Sequence, residues 1–244
     1  MHLSIVIPAY NEEKRIGATL IKISNYLKQQ CHDFEIIVVD DGSSDNTLNL
    51  LTKYSNNIPN FLVLKNELNC GKGFSIKRGI LKSRGDIVLF TDADLSTPIE
   101  EMEKLLNWLD KGYQIAIGSR DLPGSKIKKH QAWYREFMGK TFNKIIRLIL
   151  NLDYCDTQCG FKCFKRDAAL EIFNSMKFDG FSFDVEVLFI AKQRGIKVKE
   201  VPVSWYNSPE SKVKIVKDSL RMLWDILKIR FTEYNHKKIK SPER

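Results

Sequence analysis

The feature that most limits the folds open to this chain is the repetition of strand, helix, strand through its first half. LSIVI (3–7), EIIVV (35–39), FLVL (61–64), DIVLF (86–90) and QIAIG (114–118) are unbroken apolar runs of strand length, the pattern of strands covered on both faces. Helical patterns separate them at about 12–30, 45–55, 73–83 and 98–111. For the last of these, Thr97, Pro98 and Glu100 predict an N-cap, a first-turn proline and a capping-box partner. Crossovers between parallel strands are right-handed, so the expected class is α/β: a mostly parallel, doubly wound sheet flanked by helices. Ligands of such sheets bind outside the carboxyl ends of the strands.

The second half differs in texture. A loop rich in Gly, Pro, Ser and Lys (118–131) leads into an apolar and basic helix at 133–152. An irregular stretch containing GFKCF follows, then helices near 166–175 and 183–194, a strand around KVKEVPVSW, and a long helix at about 211–233. With 43% hydrophobic residues in 244, the chain can bury a substantial core, which excludes disordered and fibrous classes. Its net charge of +9 is concentrated: 122–152 hold seven basic residues and one acidic, 212–244 hold ten and four, and the rest is slightly acidic. Two basic segments on a nearly neutral body call for an anionic partner, whether membrane surface, nucleic acid or phosphorylated substrate. Five cysteines, an odd number in a chain of this length, are read as reduced thiols. No apolar run approaches the ~18 residues of a membrane span, and MHLSIVIPAYNEE lacks the features of a signal peptide, so a cytoplasmic location is expected.

Three strand ends carry polar clusters: PAYNEE (8–13), DDGSSD (40–45) and TDADLS (91–96). By itself DDGSSD reads as a turn with Asp45 capping the next helix. That leaves the adjacent Asp40 and Asp41 unexplained. Asp92 and Asp94, two residues apart on an extended loop at the mouth of an apolar strand, repel each other unless a cation lies between them. Hard oxygen ligands, few in number, suit Mg²⁺ or Mn²⁺ completed by water and phosphate oxygens, so the pair calls for a metal and a diphosphate. Neither GxxxxGK[ST] nor GxGxxG follows the first strand, which argues against a P-loop enzyme or a dinucleotide dehydrogenase. The basic turn NCGKGFS (69–75) opens the third helix. Its Gly71 and Gly73 would let backbone approach an anion at the helix N-terminus, and a plain loop accounts for it equally.

IVIPAYNEE, VVDDGSSDNT, N-x-x-GKG and TDADLSTP, in this order and spacing, resemble the family-two glycosyltransferases of the GT-A (Rossmann-like) fold. GSR (118–120), Arg135 after Trp133, DTQCGFK (156–162), FDVE (183–186), VPVSW (201–205) and ESKV (210–213) resemble the branch that glycosylates a polyprenyl phosphate. DTQCGFK followed by FDVE is similar to the dolichyl-phosphate glucosyltransferases in particular. The resemblance covers about 3–232 and implies one GT-A domain over 1–235. Its nucleotide-binding half is 1–118, its acceptor and membrane-facing half is 119–235, and 236–244 form a frayed basic tail. Such a resemblance implies inverting transfer of glucose from UDP-glucose to a polyprenyl (dolichyl or undecaprenyl) phosphate at the cytoplasmic membrane face. Eukaryotic members carry an N-terminal anchor and many bacterial ones C-terminal transmembrane helices; this sequence shows neither, so peripheral attachment or a membrane partner protein is expected.

Carried onto this sequence, the resemblance implies that Asp40 meets the nucleobase, with Pro8, Tyr10, Asn11 and Glu12 lining the nucleoside pocket and Lys72 and Gly73 closing it. Asp92, Ala93 and Asp94 would meet the nucleotide sugar, Asp92 and Asp94 holding the metal. Arg120, Arg135, Lys162 and Lys212 are the candidates for positioning two anionic reactants, alongside Asp94 at the reaction centre. Ser96 stands where mannosyl relatives often have glutamine, which keeps GDP-mannose open as the donor. A glycan or protein hydroxyl acceptor is the rival, and would need a base, for which Asp184 or Glu186 is the candidate.

Other features weigh less. Cys155, Cys159 and Cys163, spaced C-x3-C-x3-C, match neither a zinc nor an iron–sulfur pattern, so Cys159 is read as packing. The helix at 133–152 is expected to expose Trp133, Phe137, Phe142, Ile146 and Ile149. In the final helix, Val216, Leu220, Leu223 and Leu227 form one apolar stripe and Ile215, Met222, Ile226 and Ile229 another, with Lys214, Lys217, Arg221 and Lys228 between them. One stripe can pack on the domain, leaving the second for an anionic membrane interface; a homodimer is the competing cover. A nucleic-acid partner is disfavoured, because the basic segments interleave with aliphatic stripes.

Overall fold

The computed structural model describes residues 2–30, 32–129, 133–207 and 215–234, the side chains of 129–137 and 215–218 excepted. Each apolar run forms its strand: β1 (His2–Ala9), β2 (Asp33–Asp40), β3 (Phe61–Lys65), β4 (Ile87–Thr91) and β5 (Ile115–Ser119). Between them lie α1 (Ile16–Gln29), α2 (Thr47–Ser55), α3 (Lys72–Lys82) and α4 (Met102–Asp110). The second half supplies β6 (Lys126–Lys129), α5 (Trp133–Leu150), β7 (Phe161–Lys165), α6 (Arg166–Ser175), α7 (Phe183–Gln193), β8 (Val198–Pro202), β9 (Ser204–Tyr206) and α8 (Ile215–Phe231).

Seven strands form one sheet in the order β3-β2-β1-β4-β7-β5-β8. All neighbours are parallel except β7, which runs antiparallel between β4 and β5. The GFKCF stretch, expected to be irregular, is therefore a strand in the middle of the sheet. Its side chains alternate: Phe161 and Cys163 join the core under α1 and α4, while Phe164 joins the core under α3, α6 and α7, and Lys162 is fully buried. KVKEVPVSW breaks at Val203 into β8 and β9, and β9 pairs with β6 in a separate two-stranded ribbon. That ribbon includes part of the segment expected to be loop.

Two local expectations are corrected. Thr97 does not cap α4: Pro98 is extended, a turn of 3₁₀ helix fills Ile99–Glu101, and no side chain caps it, while the Thr97 hydroxyl faces the Cys159 sulfur at 3.8 Å. On α5, Ile146 is buried and Phe142 and Ile149 pack on the core, whereas Met138, Ile145 and Leu148 are exposed. The Trp133 and Phe137 side chains lie outside the described residues. Helix α8 packs on α5 and α7 with Met222, Ile226 and Ile229 buried, and exposes Leu220, Trp224, Leu227 and Phe231. Of the two expected stripes, Met222, Ile226 and Ile229 are core, Leu220 and Leu227 are surface and Leu223 is half-buried; the Ile215 and Val216 side chains lie outside the described residues. The four described cysteines are all free thiols.

Candidate active site

The carboxyl ends of β1, β2 and β4 lie side by side in the sheet, which brings the three polar clusters together. After β1 the chain turns through Asn11, whose positive φ of 53° is tolerated best by asparagine among residues with a side chain. Asn11 ties this turn to the second cluster: its Oδ1 accepts the Ser44 amide at 2.8 Å, and its own amide donates to the Ser43 hydroxyl. Asp45 accepts the Thr47 amide at 3.0 Å, so it does satisfy the first turn of α2, although the formal cap residue is Asn46.

Asp40 and Asp41 have opposite fates. Asp41 accepts the Asn66 amide group at 2.7 Å and the backbone amides of Cys70 and Gly71; it anchors the turn that opens α3. Asp40 is fully buried, and neither of its carboxylate oxygens has a hydrogen-bond partner among the described residues. A buried acceptor in that state requires a donor from elsewhere.

At the end of β4, the Leu95 amide donates to the Asp92 carbonyl at 3.1 Å and Leu95 takes φ 47°. The loop is thus a tight turn, where the sequence suggests an extended one. Asp92 pairs with Lys72 Nζ at 2.7 Å, and Asp94 faces Arg15 Nη1 at 3.7 Å. The mutual repulsion from which the sequence argues for a metal is thus relieved by cations of the chain itself. Burial works against the charge on Lys72, but Asp92, Asp184 and Asp94 outweigh it and raise its pKa above the ordinary lysine value. Among the described residues no group of three or more His, Cys, Asp or Glu side chains is arranged to hold a metal ion. A metal here would rest on two carboxylates and on oxygens not supplied by protein, a donor set that Mg²⁺ and Mn²⁺ accept.

The candidate cations are largely engaged. Arg120 makes a two-pronged pair with buried Asp156, at 2.7 and 2.9 Å, and lies over the Trp205 ring. Burial would raise the Asp156 carboxyl, but Arg120 overrides it and holds the pKa below the ordinary aspartate value. Lys162 donates to the Cys159 carbonyl at 2.8 Å and is ion-paired with Asp184. Lys162 is thus wholly enclosed, whereas Arg120 turns Nε and Nη2 to Asp156 and stays partly exposed. Both candidate bases are engaged as well. Burial pushes the Asp184 carboxyl upward, against Lys162 and Lys72. Glu186 accepts the amides of Lys177 and Phe178 and the Tyr234 hydroxyl, a structural tie between α7 and the end of α8. The Arg135 side chain and all of Lys212 lie outside the described residues.

Sequence reading missed several participants. Glu12, expected in the nucleoside pocket, is clasped by the Arg15 guanidinium; their i,i+3 spacing was the available signal. Gly71 and Gly73 do let backbone approach, but the neighbour is the chain's own 179–183 segment: a β-carbon at Gly71 would lie 2.5 Å from the Asp179 carbonyl, and one at Gly73 2.7 Å from Phe183. Gly160 presses on Asp92 so closely that a β-carbon there would lie 2.1 Å from Oδ2. Pro8 is the next-to-last residue of β1, Ala93, between the two aspartates in sequence, is buried, and Tyr10 is exposed.

Residues 4–173 match the family described as Glycosyl transferase family 2. The chain is 38% identical over 240 residues to a dolichyl-phosphate beta-glucosyltransferase of Trichomonas vaginalis, covering 94% of this chain and 71% of that protein. It is 34% identical over 246 residues to the dolichyl-phosphate beta-glucosyltransferase of Saccharomyces cerevisiae (93% and 74% covered), and 36% identical over 244 residues to that of Homo sapiens (93% and 74%). In fold it is similar to glucosyl-3-phosphoglycerate synthase of Mycobacterium tuberculosis, crystallised with Mn²⁺ and UDP-glucose. The TM-score is 0.69 at 21% identity, with 94% of this chain and 78% of that chain covered. A mannosyl-3-phosphoglycerate synthase of Rubrobacter xylanophilus gives the same TM-score at 19% identity (94% and 72%).

Proposed function

The chain belongs to glycosyl transferase family 2, and from that premise we propose that it transfers glucose, with inversion, from UDP-glucose to the phosphate of a polyprenyl phosphate of the dolichyl type. The donor and acceptor are those in the names of its sequence relatives and of the Mn²⁺- and UDP-glucose-bound structure of similar fold. The observation that carries the choice of acceptor is the state of the two candidate bases. A hydroxyl acceptor must lose its proton in the transition state, yet Asp184 is committed to Lys162 and Glu186 to two backbone amides and a tyrosine. A phosphate monoester, with a second pKa near ~6, arrives largely dianionic and needs no base.

In this reading Asp40 accepts the imide N–H of uracil, which gives one of its two orphaned oxygens a donor, and Pro8, Tyr10, Asn11 and Gly73 shape the pocket around the nucleoside. Asp92 and Asp94 hold Mg²⁺ or Mn²⁺. When bound, that ion supplies Lewis-acid stabilisation of the leaving nucleoside diphosphate. Lys72, already at Asp92, would meet the diphosphate. Arg120 and Lys162 act from behind: the first fixes the 156–160 loop through Asp156, the second fixes Asp184 beneath the site. Arg135 and Lys212 remain the candidates for gripping the acceptor phosphate. The Tyr206 amide at the end of β9 donates to the Ser96 carbonyl at 2.8 Å, which ties β9 to the loop after β4.

No described helix is long and apolar enough to cross a membrane. The exposed Leu220, Trp224, Leu227 and Phe231 of α8 and Met138, Ile145 and Leu148 of α5 lie near Lys140, Lys144, Arg221 and Lys228 in sequence, a composition suited to an anionic membrane interface. We assign this face to peripheral attachment on the cytoplasmic side. Incubation with labelled UDP-glucose, Mn²⁺ and a short-chain polyprenyl phosphate should carry label into the organic phase. Label reaching only a hydroxyl acceptor would refute the phosphate reading.

A further inference from the structure

The turn that carries Lys72 rests on a residue outside the scheme above. Asn66 directly follows β3 and is buried. Its side-chain oxygen accepts from the Arg78 guanidinium of α3. Arginine offers no acceptor, so this contact fixes the orientation of the amide. The nitrogen must point the other way, where it donates to Asp41 Oδ1 at 2.7 Å and to the Ser75 hydroxyl at 3.1 Å. The Asn66 backbone amide donates to the Asp40 carbonyl at 2.8 Å, and Arg78 also donates to the Lys65 carbonyl at 2.5 Å. Asn66 thus joins the ends of β2 and β3 to α3 through the buried side chains of Asp41 and Ser75. Asp41 in turn receives the backbone amides of Cys70 at 3.0 Å and Gly71 at 2.8 Å, and Lys72 is the next residue.

We infer that Asn66 is a positioning residue for the nucleotide diphosphate: it holds Asp41 where the Cys70 and Gly71 amides hang on it, and so sets where Lys72 stands. The inference rests on the reading proposed above that Lys72 meets the diphosphate. On its other side the turn is tightly packed. Gly71 takes φ 106°, a conformation that side chains other than hydrogen rarely allow. The Phe74 amide donates to the Asp179 carbonyl at 3.1 Å, and a β-carbon at Gly71 would lie 2.5 Å from that same carbonyl oxygen. The position of the turn is therefore decided beneath it, by the two oxygens of Asp41. A carboxylate turns about a broad torsion, so two backbone amides on a movable turn hold it loosely. The Asn66 amide, itself fixed by Arg78, stops that rotation. Arg78 also strengthens the donor, because a cation on the amide oxygen polarises the N–H bonds of the same group.

The test is calorimetric titration of UDP, in the presence of Mn²⁺, into Asn66→Leu, Lys72→Met and the double variant, with thermal denaturation as the measure of stability. Asn66→Leu keeps the approximate volume of the side chain and removes its donor. Each single variant is expected to bind UDP about tenfold more weakly than wild type, and the double variant no more than about twofold more weakly than Lys72→Met, because residues acting through one contact do not add. A lower Tm with unchanged UDP affinity in Asn66→Leu would make Asn66 a structural residue only and overturn the inference. The same loss of affinity from Asn66→Leu with Lys72 present and with Lys72 replaced would overturn it too, since Asn66 would then act on the nucleotide by another route. Should Asn66→Leu fail to fold, Arg78→Met, which removes the group that orients the Asn66 amide, takes its place in the same cycle, with the same two refuting results. If Lys72→Met binds UDP as wild type does, Lys72 does not meet the diphosphate, and that reading falls together with the inference, a result distinct from the other two.

Discussion

Gly160→Ala should disable the proposed metal site without unfolding the protein. A β-carbon added at Gly160 would lie 2.1 Å from Asp92 Oδ2, 2.6 Å from Cγ and 2.7 Å from Oδ1. Ordinary carbon–oxygen contact is near ~3.4 Å, so the carboxylate must swing by more than about 1 Å. Gly160 itself cannot retreat easily: the Lys162 ammonium two residues on grips the preceding Cys159 carbonyl and Asp184. Pushing Asp92 off its rotamer costs about 0.5–1.5 kcal/mol. Stretching its partly exposed pair with Lys72 adds at most ~1 kcal/mol. A loss near 1–2 kcal/mol in a chain of this size lowers Tm by roughly 2–8 °C. Function should suffer far more, since a misplacement of ~1 Å can cost about 10²-fold. The assay pairs thermal denaturation with calorimetric titration of UDP in the presence and absence of Mn²⁺. Unchanged Mn²⁺-dependent UDP affinity would refute the reasoning, because it would mean Asp92 need not occupy its present position.

Lys162→Met is expected to lower stability by about 3–5 kcal/mol, since it strands the buried Asp184 carboxylate, while Lys162→Met with Asp184→Leu should recover much of the loss; equal losses in urea denaturation would show that the two charges do not act as a pair. For Glu186, burial raises the pKa from 4.5 to about 7 against its three hydrogen bonds. The folded state therefore holds a proton that the unfolded state has released. Its contribution is full below about pH 4.5 and is lost as pH rises through about 7, a fall of roughly 3 kcal/mol at most. Glu186→Gln should flatten the stability–pH curve between pH 5 and 8; a wild-type curve rising over that window, with the same slope in the variant, would contradict the assignment. Membrane attachment through α5 and α8 predicts sedimentation with anionic liposomes, reversed by salt that screens charges beyond ~10 Å at 0.1 M, and reduced by joint Leu220→Ser, Trp224→Ser and Phe231→Ser. Recovery of wild type wholly in the supernatant at low salt would rule it out.

How far the sequence could be read depends on whether a feature is local. Parallel strands buried on both faces announce themselves as unbroken apolar runs, so β1 to β5 and the polar clusters at their ends were legible, as were the two stripes of α8. The strand β7 was not: it places a lysine at the centre of the sheet, and lysines are almost never fully buried unless paired. Its partner Asp184 lies 22 residues further on. The same separation hides Arg120 from Asp156, 36 residues away, and the GKG glycines from the 179–183 segment they pack against. Each of these cations looked available for an anionic substrate because the carboxylate that claims it is visible only in three dimensions.

The engaged cations alter the chemistry expected of the site. If Arg120, Lys162, Lys72 and Arg15 all stood uncompensated around the reacting groups, the empty pocket would be strongly positive and would take up any phosphate. Instead Asp156, Asp184, Asp92 and Glu12 with Asp94 hold them, five carboxylates facing four cations, so these residues carry no surplus of positive charge before ligands arrive. In the proposed reading, selectivity would come from exchange of partners: a ligand would offer both a cation for the Asp92 and Asp94 carboxylates and anionic oxygens for Lys72 and Arg15. A free phosphate or a free metal supplies only half of that exchange, and a metal-bound nucleotide diphosphate supplies all of it.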